Sequence, residues 1–370
     1  MENFVRNLLT EWRKLDLPFA GATFVAAVSG GADSVSLMVG LRELRKLKKL
    51  DLRFVVAHYN HDLRGEESEK DEHYVKNLAG EFGFELALGR GKISNHGNLE
   101  QNARAARYEF LKQTAENLHA QGVLTAHTLN DQAETFLINL IRGSGLEGLG
   151  GMKAIRFLDE ENRRREDKET SREGDEETSG EDLNFPSSPR LPFSPSKILL
   201  VRPLLNWARR EDTENFCRLH EIEFRHDSMN DDLAFRRVRI RKVLLPLLVD
   251  FNPKIVETLA KTASLLREEA ELLIDVARPN NLTATLTESA EINLRDLQKM
   301  AKPNLYRVLR EWLKSNRGDL RNLDTKHLEA IESLIFSRKS GKIVELPNRE
   351  SIVKQNGKLT FRPKTVENDA

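Results

Sequence analysis

Apolar residues in the first third of the chain follow two alternating periods. Short runs rich in Val, Phe, Leu and Ala at 23–28, 52–57, 84–88 and 122–126 read as buried strands. Between them the spacing is helical. "DSVSLMVGLRELRKL" puts Leu37, Leu41 and Leu44 on one face, and "NLEQNARAARYEFLKQTAENL" and "DQAETFLINLIRG" repeat the pattern. Strands alternating with helices predict βαβ units and a parallel sheet, whose ligands lie beyond the carboxyl ends of the strands. The pattern stops at 158–196, where a charged stretch passes into Ser and Pro with almost nothing to bury. That composition predicts a disordered insertion. "KILLVRPLL" (197–205) is apolar again and is expected to dock back onto the first domain. From about 207 the spacing is mostly helical, and 341–363 alternates in short stretches that predict a small β element. The expected organisation is an α/β domain over 1–206, interrupted at 158–196, and a helical domain with a terminal β element over 207–366.

Length agrees, since 370 residues exceed one ordinary core. No segment reaches the ~18 apolar residues of a membrane span. The N-terminal "MENFVRNLLTEWRK" carries acids and lacks the apolar core of a secretory signal, so the expected location is the cytoplasm. The single cysteine, Cys217, excludes an internal disulfide framework and two-thiol chemistry. The formal charge of zero hides an asymmetry. Asp159 to Asp182 holds 12 acids and 5 bases, so the rest of the chain carries 53 bases against 46 acids, a net +7. An excess of that size suits an anionic partner.

The first strand runs straight into Ser29-Gly30-Gly31-Ala32-Asp33-Ser34, and a helical pattern follows at once. Such a turn exposes the first N–H groups of the helix, which with the helix dipole favour phosphate. Glycine lets the backbone approach a ligand closely, and Ser29 and Ser34 add hydroxyl donors. Asp33 does not suit phosphate itself; beside a polyphosphate it meets Mg²⁺ or a cationic group. The Walker pattern GxxxxGK[ST] is absent. A plain capped turn is the competing reading, and the full six-residue string directly after a strand favours the phosphate cradle.

Ser29–Ser34 resembles the SGGxDS loop of the N-type ATP pyrophosphatases, which hold the pyrophosphate part of ATP and cleave between its α- and β-phosphates. Later strings narrow the resemblance. "AHYNHDLRGEESEKDEHYV" clusters His58, Asn60, His61 and Arg64 after the second strand. These residues suit an anion or base site; no cysteine or carboxylate set completes a zinc site. The string resembles the HxNHxLR signature of the tRNA(Ile)-lysidine synthases. "NLEQNARAARYEFL", with Glu100, Arg104, Arg107 and Tyr108, is similar to the ExxARxxRY segment of that family. "TAHTLNDQAETFLINLIRGSGLEGL" resembles HHxDDQxET followed by RGxGxxGL. His127, Asp131, Gln132, Glu134 and Thr135 match; Thr128 stands where a second His is common, and Asn130 where the first of two Asp is common. "VRPLL" (201–205), "HDSMND" (226–231) and "RRVRIRKVLLPLL" are similar to RPLL, DxxN and RNxIRxxLLPxL, with Val238 in place of the usual Asn. The last string also carries a basic strip, Arg236, Arg237, Arg239, Arg241 and Lys242, suited to phosphates. The resemblance covers roughly 20–365 apart from the insertion. Some members carry a further C-terminal domain, and this chain ends soon after Pro363, so contacts made by that domain are expected to come from elsewhere.

The resemblance implies a Rossmann-like pyrophosphatase domain and a two-step reaction on the wobble cytidine of an isoleucine tRNA with a CAU anticodon. ATP adenylates the C2 oxygen, pyrophosphate leaves, and the ε-amine of free lysine attacks C2 and expels AMP to give lysidine. ATP and Mg²⁺ are the implied cofactors, tRNA and lysine the partners, and a homodimer is compatible with the family. Ser29, Gly30, Gly31, Ala32, Asp33, Ser34, His58 and His127 would bind the nucleotide. Asp33 would hold Mg²⁺, with contact to the incoming lysine as the alternative. Asp131 or Glu134 would orient the lysine amine and take its proton. Arg104 and Arg107 would hold the α-phosphate or the tRNA backbone, and Arg64, Arg107 and the basic strip would meet RNA. Two rivals remain at this level. One is tRNA thiolation, which generally uses cysteines; the other is a non-catalytic tRNA- or nucleotide-binding relative.

Overall fold

The computed structural model describes residues 1–62, 65–91, 99–158, 198–225, 232–276, 290–317, 320, 323–337, 339 and 341–363. The expected insertion at 158–196 therefore lies, except for Leu158, outside the described residues, as do Arg64 and "HDSMND". The chain forms two compact units, one ending at Ala270 and one beginning at Glu271.

In the first unit, β1 (Ala20–Ala27), β2 (Asp51–Asn60), β3 (Glu85–Arg90), β4 (Gly122–Leu124), β5 (Ile155–Phe157) and β6 (Leu199–Val201) form one sheet in the order β3-β2-β1-β4-β6-β5. The first five in that order are parallel, and β5 is an antiparallel edge strand. Val25 pairs with Val55 on one side and Val123 on the other. Phe24, Val25, Ala26, Val55 and Val56 are all buried, because helices cover both faces of a parallel sheet and leave no solvated side. This is the expected doubly covered architecture. "KILLVRPLL" does dock back, as β6 beside β4.

Helices α1 (Asn3–Lys14), α2 (Ala32–Lys46), α3 (Glu66–Glu81), α4 (Leu99–Asn117) and α5 (Leu129–Ile141) follow the helical spacings, with the short α6 (Leu146–Leu149) after them. Leu37, Leu41 and Leu44 of α2 are buried with Leu8 and Trp12 of α1. The unit continues through α7 (Arg210–Leu219), α8 (Arg236–Arg239), a π-helical turn (Ile240–Leu244), α9 (Leu245–Phe251) and α10 (Ile255–Val276) as far as Ala270. The units separate after Ala270 and not at the composition change near 206. The cause is packing: Phe216 and Cys217 of α7 share the core of α1 and α2, and Phe4 stacks on Phe216 with ring centroids 4.2 Å apart. Ile240, Leu245, Val256 and Ala260 close likewise over Leu129, Ala133 and Leu137 of α5. The π turn precedes Pro246, which has no N–H for the carbonyl four residues back and whose ring crowds it; a widened turn relieves both problems.

The second unit holds β7 (Glu291–Asn293), α11 (Leu294–Gln298), α12 (Lys302–Arg317), α13 (Thr325–Phe336), β8 (Ile343–Leu346), β9 (Glu350–Gln355) and β10 (Lys358–Arg362). Its sheet is wholly antiparallel, in the order β7-β10-β9-β8. It supplies the expected C-terminal β element and packs Ile352 and Leu359 with Leu309, Trp312, Ile331 and Ile335. Lys354 donates to the carbonyls of Leu334 and Ile335 and so caps the end of α13.

Candidate active site at the carboxyl ends of the strands

A cavity of about 630 Å³ opens beyond the carboxyl ends of β1, β2 and β4. Its lining includes Ser29, Asp33, His58, Arg107, His127 and Asp131. Pockets of this size hold nucleotide-sized ligands.

The glycine turn forms its floor. Gly30 has φ +95°, a conformation that side chains disfavour, and Gly31 is the N-cap of α2. The Ser29 N–H donates to Ser34 Oγ (3.1 Å), and Ser34 Oγ donates to the Gly31 carbonyl (3.0 Å). The Gly30 carbonyl accepts from the Arg225 N–H at 2.9 Å. In a trans peptide the Gly31 N–H then points the opposite way, away from Arg225.

Asp33 follows on the first turn of α2. Thr213 Oγ1 donates to its Oδ1 at 2.5 Å, and Arg210 Nε lies 3.8 Å from its Oδ2. Burial, then repulsion from Asp131, raises its pKa to about 6 against the opposing pull of Arg210 and Thr213. His58 lies near the carboxyl end of β2, and burial pushes its pKa down. Its Nδ1 sits 2.8 Å from the Val28 carbonyl, which only accepts, so Nδ1 carries the proton and Nε2 keeps a lone pair. Burial, reinforced by Arg202, likewise keeps His127 neutral.

The acids of α5 differ in their surroundings. Asp131 Oδ2 accepts from the Thr128 N–H (2.9 Å) and hydroxyl (3.1 Å), and Oδ1 accepts from Arg237 at 3.0 Å. Burial opposes its ionisation, but Arg237, Arg210 and the Thr128 N–H outweigh it and hold the carboxyl well below its usual range. Glu134 is wholly buried and does not line the cavity. Arg241 Nε reaches its Oε1 at 2.7 Å, Arg237 Nε its Oε2 at 2.8 Å, and Arg210 Nη2 lies 3.6 Å from Oε1. Arg237 and Arg241 of the basic strip therefore turn inward onto these acids, while Arg236, Arg239 and Lys242 are exposed. Lys242 and Arg107 line the cavity; Arg104 does not, although both Arg104 and Arg107 sit against the buried Tyr108 ring.

The positions that depart from the family strings have local tasks. Thr128 caps α5 and grips Asp131, Asn130 Oδ1 accepts from the Arg210 N–H at 3.0 Å, and Val238 is buried. Arg210, Thr213 and Arg225 also belong to the site and carried no sequence signal beyond the charge of "ARRED". Among the described residues no group of three His, Cys, Asp or Glu is disposed to hold a metal ion.

The PP-loop domain family matches residues 2–174 and 191–248, and the TilS substrate binding domain matches 293–360. A tRNA(Ile)-lysidine synthase of Synechocystis sp. is 32% identical, over 91% of this chain and 90% of its own length. The chain belongs to the tRNA(Ile)-lysidine synthase family. The lysidine synthase of Dehalococcoides mccartyi is 31% identical over 90% of this chain, which spans 65% of that relative, and the relative from Geobacter sulfurreducens gives the same 31% and 65%. Among solved structures, the U34-tRNA thiolase NcsA of Methanococcus maripaludis, with its [4Fe-4S] cluster, superposes with a TM-score of 0.52 at 15% identity. It covers 72% of this chain and 79% of its own, a likeness of fold between a lysidine synthase family member and a thiolase. No helix among the described residues is long and apolar enough to cross a membrane.

Proposed function

We propose that this chain joins lysine to C2 of the wobble cytidine of an isoleucine tRNA with a CAU anticodon, cleaving ATP to AMP and pyrophosphate. The observation that carries the reading is the meeting of the SGGADS turn, two neutral histidines, Arg107 and Asp131 around one cavity in a member of this family. The free N–H groups of the turn, with Ser29 and Ser34, take the departing pyrophosphate. His58 and His127 face the nucleotide as uncharged partners. Arg107, with Arg104 against the same Tyr108 ring, attracts the α-phosphate or the tRNA backbone.

Asp33 suits Mg²⁺. It is a hard oxygen donor whose nearest described cation, Arg210, stands 3.8 Å from Oδ2, beyond hydrogen-bond distance. When bound, Mg²⁺ would spread the negative charge of the leaving pyrophosphate. Of the two acids, Asp131 lines the cavity and Glu134 is sealed by arginines, which favours Asp131 as the group that orients the lysine amine. Exposed Arg236, Arg239 and Lys242 are the members of the strip placed to meet tRNA phosphates. Arg64, assigned to the same role, lies outside the described residues. A homodimer and a cytoplasmic location, where tRNA, ATP and lysine meet, belong to the same proposal.

Thiolation fits less well. The thiol of Cys217 is buried, and burial, then Asp33, pushes its pKa up to about 12, so it is a poor nucleophile at neutral pH. The test is incubation with ATP, Mg²⁺, labelled lysine and the isoleucine tRNA transcript. Incorporation that disappears when the anticodon cytidine is replaced supports the proposal; tight tRNA binding without AMP release points to a binding protein.

A further inference from the structure

Helix α7 reaches the phosphate loop from nearly two hundred residues away in sequence and is fixed there at several points. Its start is tied to α5, because Asn130 Oδ1 accepts the Arg210 N–H at 3.0 Å and the Leu129 N–H donates to the Ala208 carbonyl at 2.9 Å. Its far end is tied to the core through Phe216, and the Cys217 thiol lies 3.6 Å from the Ala32 carbonyl in the first turn of α2. Between these ties stands Thr213, fully buried, with its hydroxyl 2.5 Å from Asp33 Oδ1 and 2.7 Å from the Arg210 carbonyl. Among the described residues it is the one neutral hydroxyl on the Asp33 carboxyl.

We propose that Thr213 is a positioning residue for Asp33: its hydroxyl occupies Oδ1 and fixes the carboxyl plane, so that Oδ2 is the oxygen presented to a divalent cation. The inference rests on the nucleotide reading above. The geometry supports a dedicated role. A threonine hydroxyl in a helix can reach the carbonyl three residues back, and the 2.7 Å contact with the Arg210 carbonyl selects the rotamer in which the Thr213 oxygen faces Asp33. Asp33 needs such a hold because its other neighbours give no firm one. Arg210 is 3.8 Å from Oδ2, beyond hydrogen-bond distance, and Asp131 repels it. With Oδ1 taken, a cation meets one oxygen, which matches the way Mg²⁺ binds through single carboxylate oxygens while retaining water.

The test is the Mg²⁺ dependence of ATP binding by the full chain, followed by calorimetry, with thermal melting as a check on folding. Thr213→Val keeps the shape and removes the hydroxyl. It is expected to raise the Mg²⁺ concentration for half-maximal ATP binding on the order of tenfold, as loss of a hydrogen bond to a charged group would. Thr213→Ser should restore most of the wild-type response. In an Asp33→Asn background, Thr213→Val should change nothing further. If Thr213→Val does not fold, Thr213→Ala takes its place in the same comparison. A wild-type midpoint in the valine variant, a serine variant as impaired as the valine, or an undiminished valine effect in the Asp33→Asn background would each overturn the inference. Failure of the wild type itself to bind ATP with Mg²⁺ would overturn the functional reading, and this inference with it.

Discussion

Asp33, half-buried, and Glu134, fully buried, show how two carboxyls in one site answer to different forces. Asp33 has too few partners for its burial, and its pKa stands raised to about 6. A carboxyl whose folded-state pKa exceeds its unfolded value binds its proton more tightly in the folded state. Its contribution to stability is complete below about pH 4, and is lost as pH rises through 6. Asp33→Asn keeps an acceptor for Thr213 and cannot ionise. The variant should therefore melt close to wild type at pH 4 and above it at pH 8, by up to about 3 kcal/mol. Parallel melting curves across that range would contradict the assigned burial. Glu134 is over-provided, with Arg237 and Arg241 bonded to it and Arg210 close by. Glu134→Gln leaves those cations short of charge in a closed site and should cost about 3–5 kcal/mol in urea unfolding. Its lysine incorporation should fall with the folded fraction and no further. A stable but inactive variant would return Glu134 to the chemistry.

At the scale of elements, α7 is the piece on which the site depends and the piece the sequence shows least. The parallel strands, the phosphate turn and the acids of α5 were legible because each is a contiguous string with its own period or chemistry. Thr213 and Arg210 were not, because their partners Asp33 and Glu134 are brought to them only by the docking of α7 on α2 and α5. Arg237 and Arg241 were legible as one helical face but not as inward-turned, since periodicity groups side chains without naming what they meet. The edge strand β5 is three residues long, too short for a period to register. Asn130 tests the role of α7. Its carboxamide holds the N-terminus of that helix, so Asn130→Ala should cost about 1 kcal/mol and lower the rate of lysine incorporation by displacing Arg210 and Thr213. Asn130→Asp keeps the acceptor, adds a favourable charge at a helix N-terminus, and should retain both stability and rate. Chemical denaturation and single-turnover incorporation separate these outcomes; equal losses in both variants would show that the amide nitrogen, not the oxygen, matters.

For the whole molecule, the charge asymmetry in the sequence meets a geometric fact of the sheet. The acidic stretch leaves and re-enters the fold at adjacent points: the Leu158 N–H donates to the Ile198 carbonyl at 2.8 Å, where β5 and β6 run antiparallel. A two-residue Asn-Gly turn can close that gap with the twist an antiparallel pair prefers. Replacing 159–197 in this way removes 12 acids and 7 bases and leaves 51 bases against 46 acids, a net +5. Leu158, Ile198 and their partners keep their places in the core under α4, so the melting temperature should change little. Binding of tRNA, if the removed acids compete with phosphates for exposed Arg236, Arg239 and Lys242, should tighten at low salt, and the gain should fade as salt screens the competition. Filter binding of the isoleucine tRNA from low to moderate salt reads both effects at once. Unchanged affinity at low salt would show that the acidic stretch does not oppose the basic surface, and a gain that persists at high salt would point to steric obstruction in place of charge.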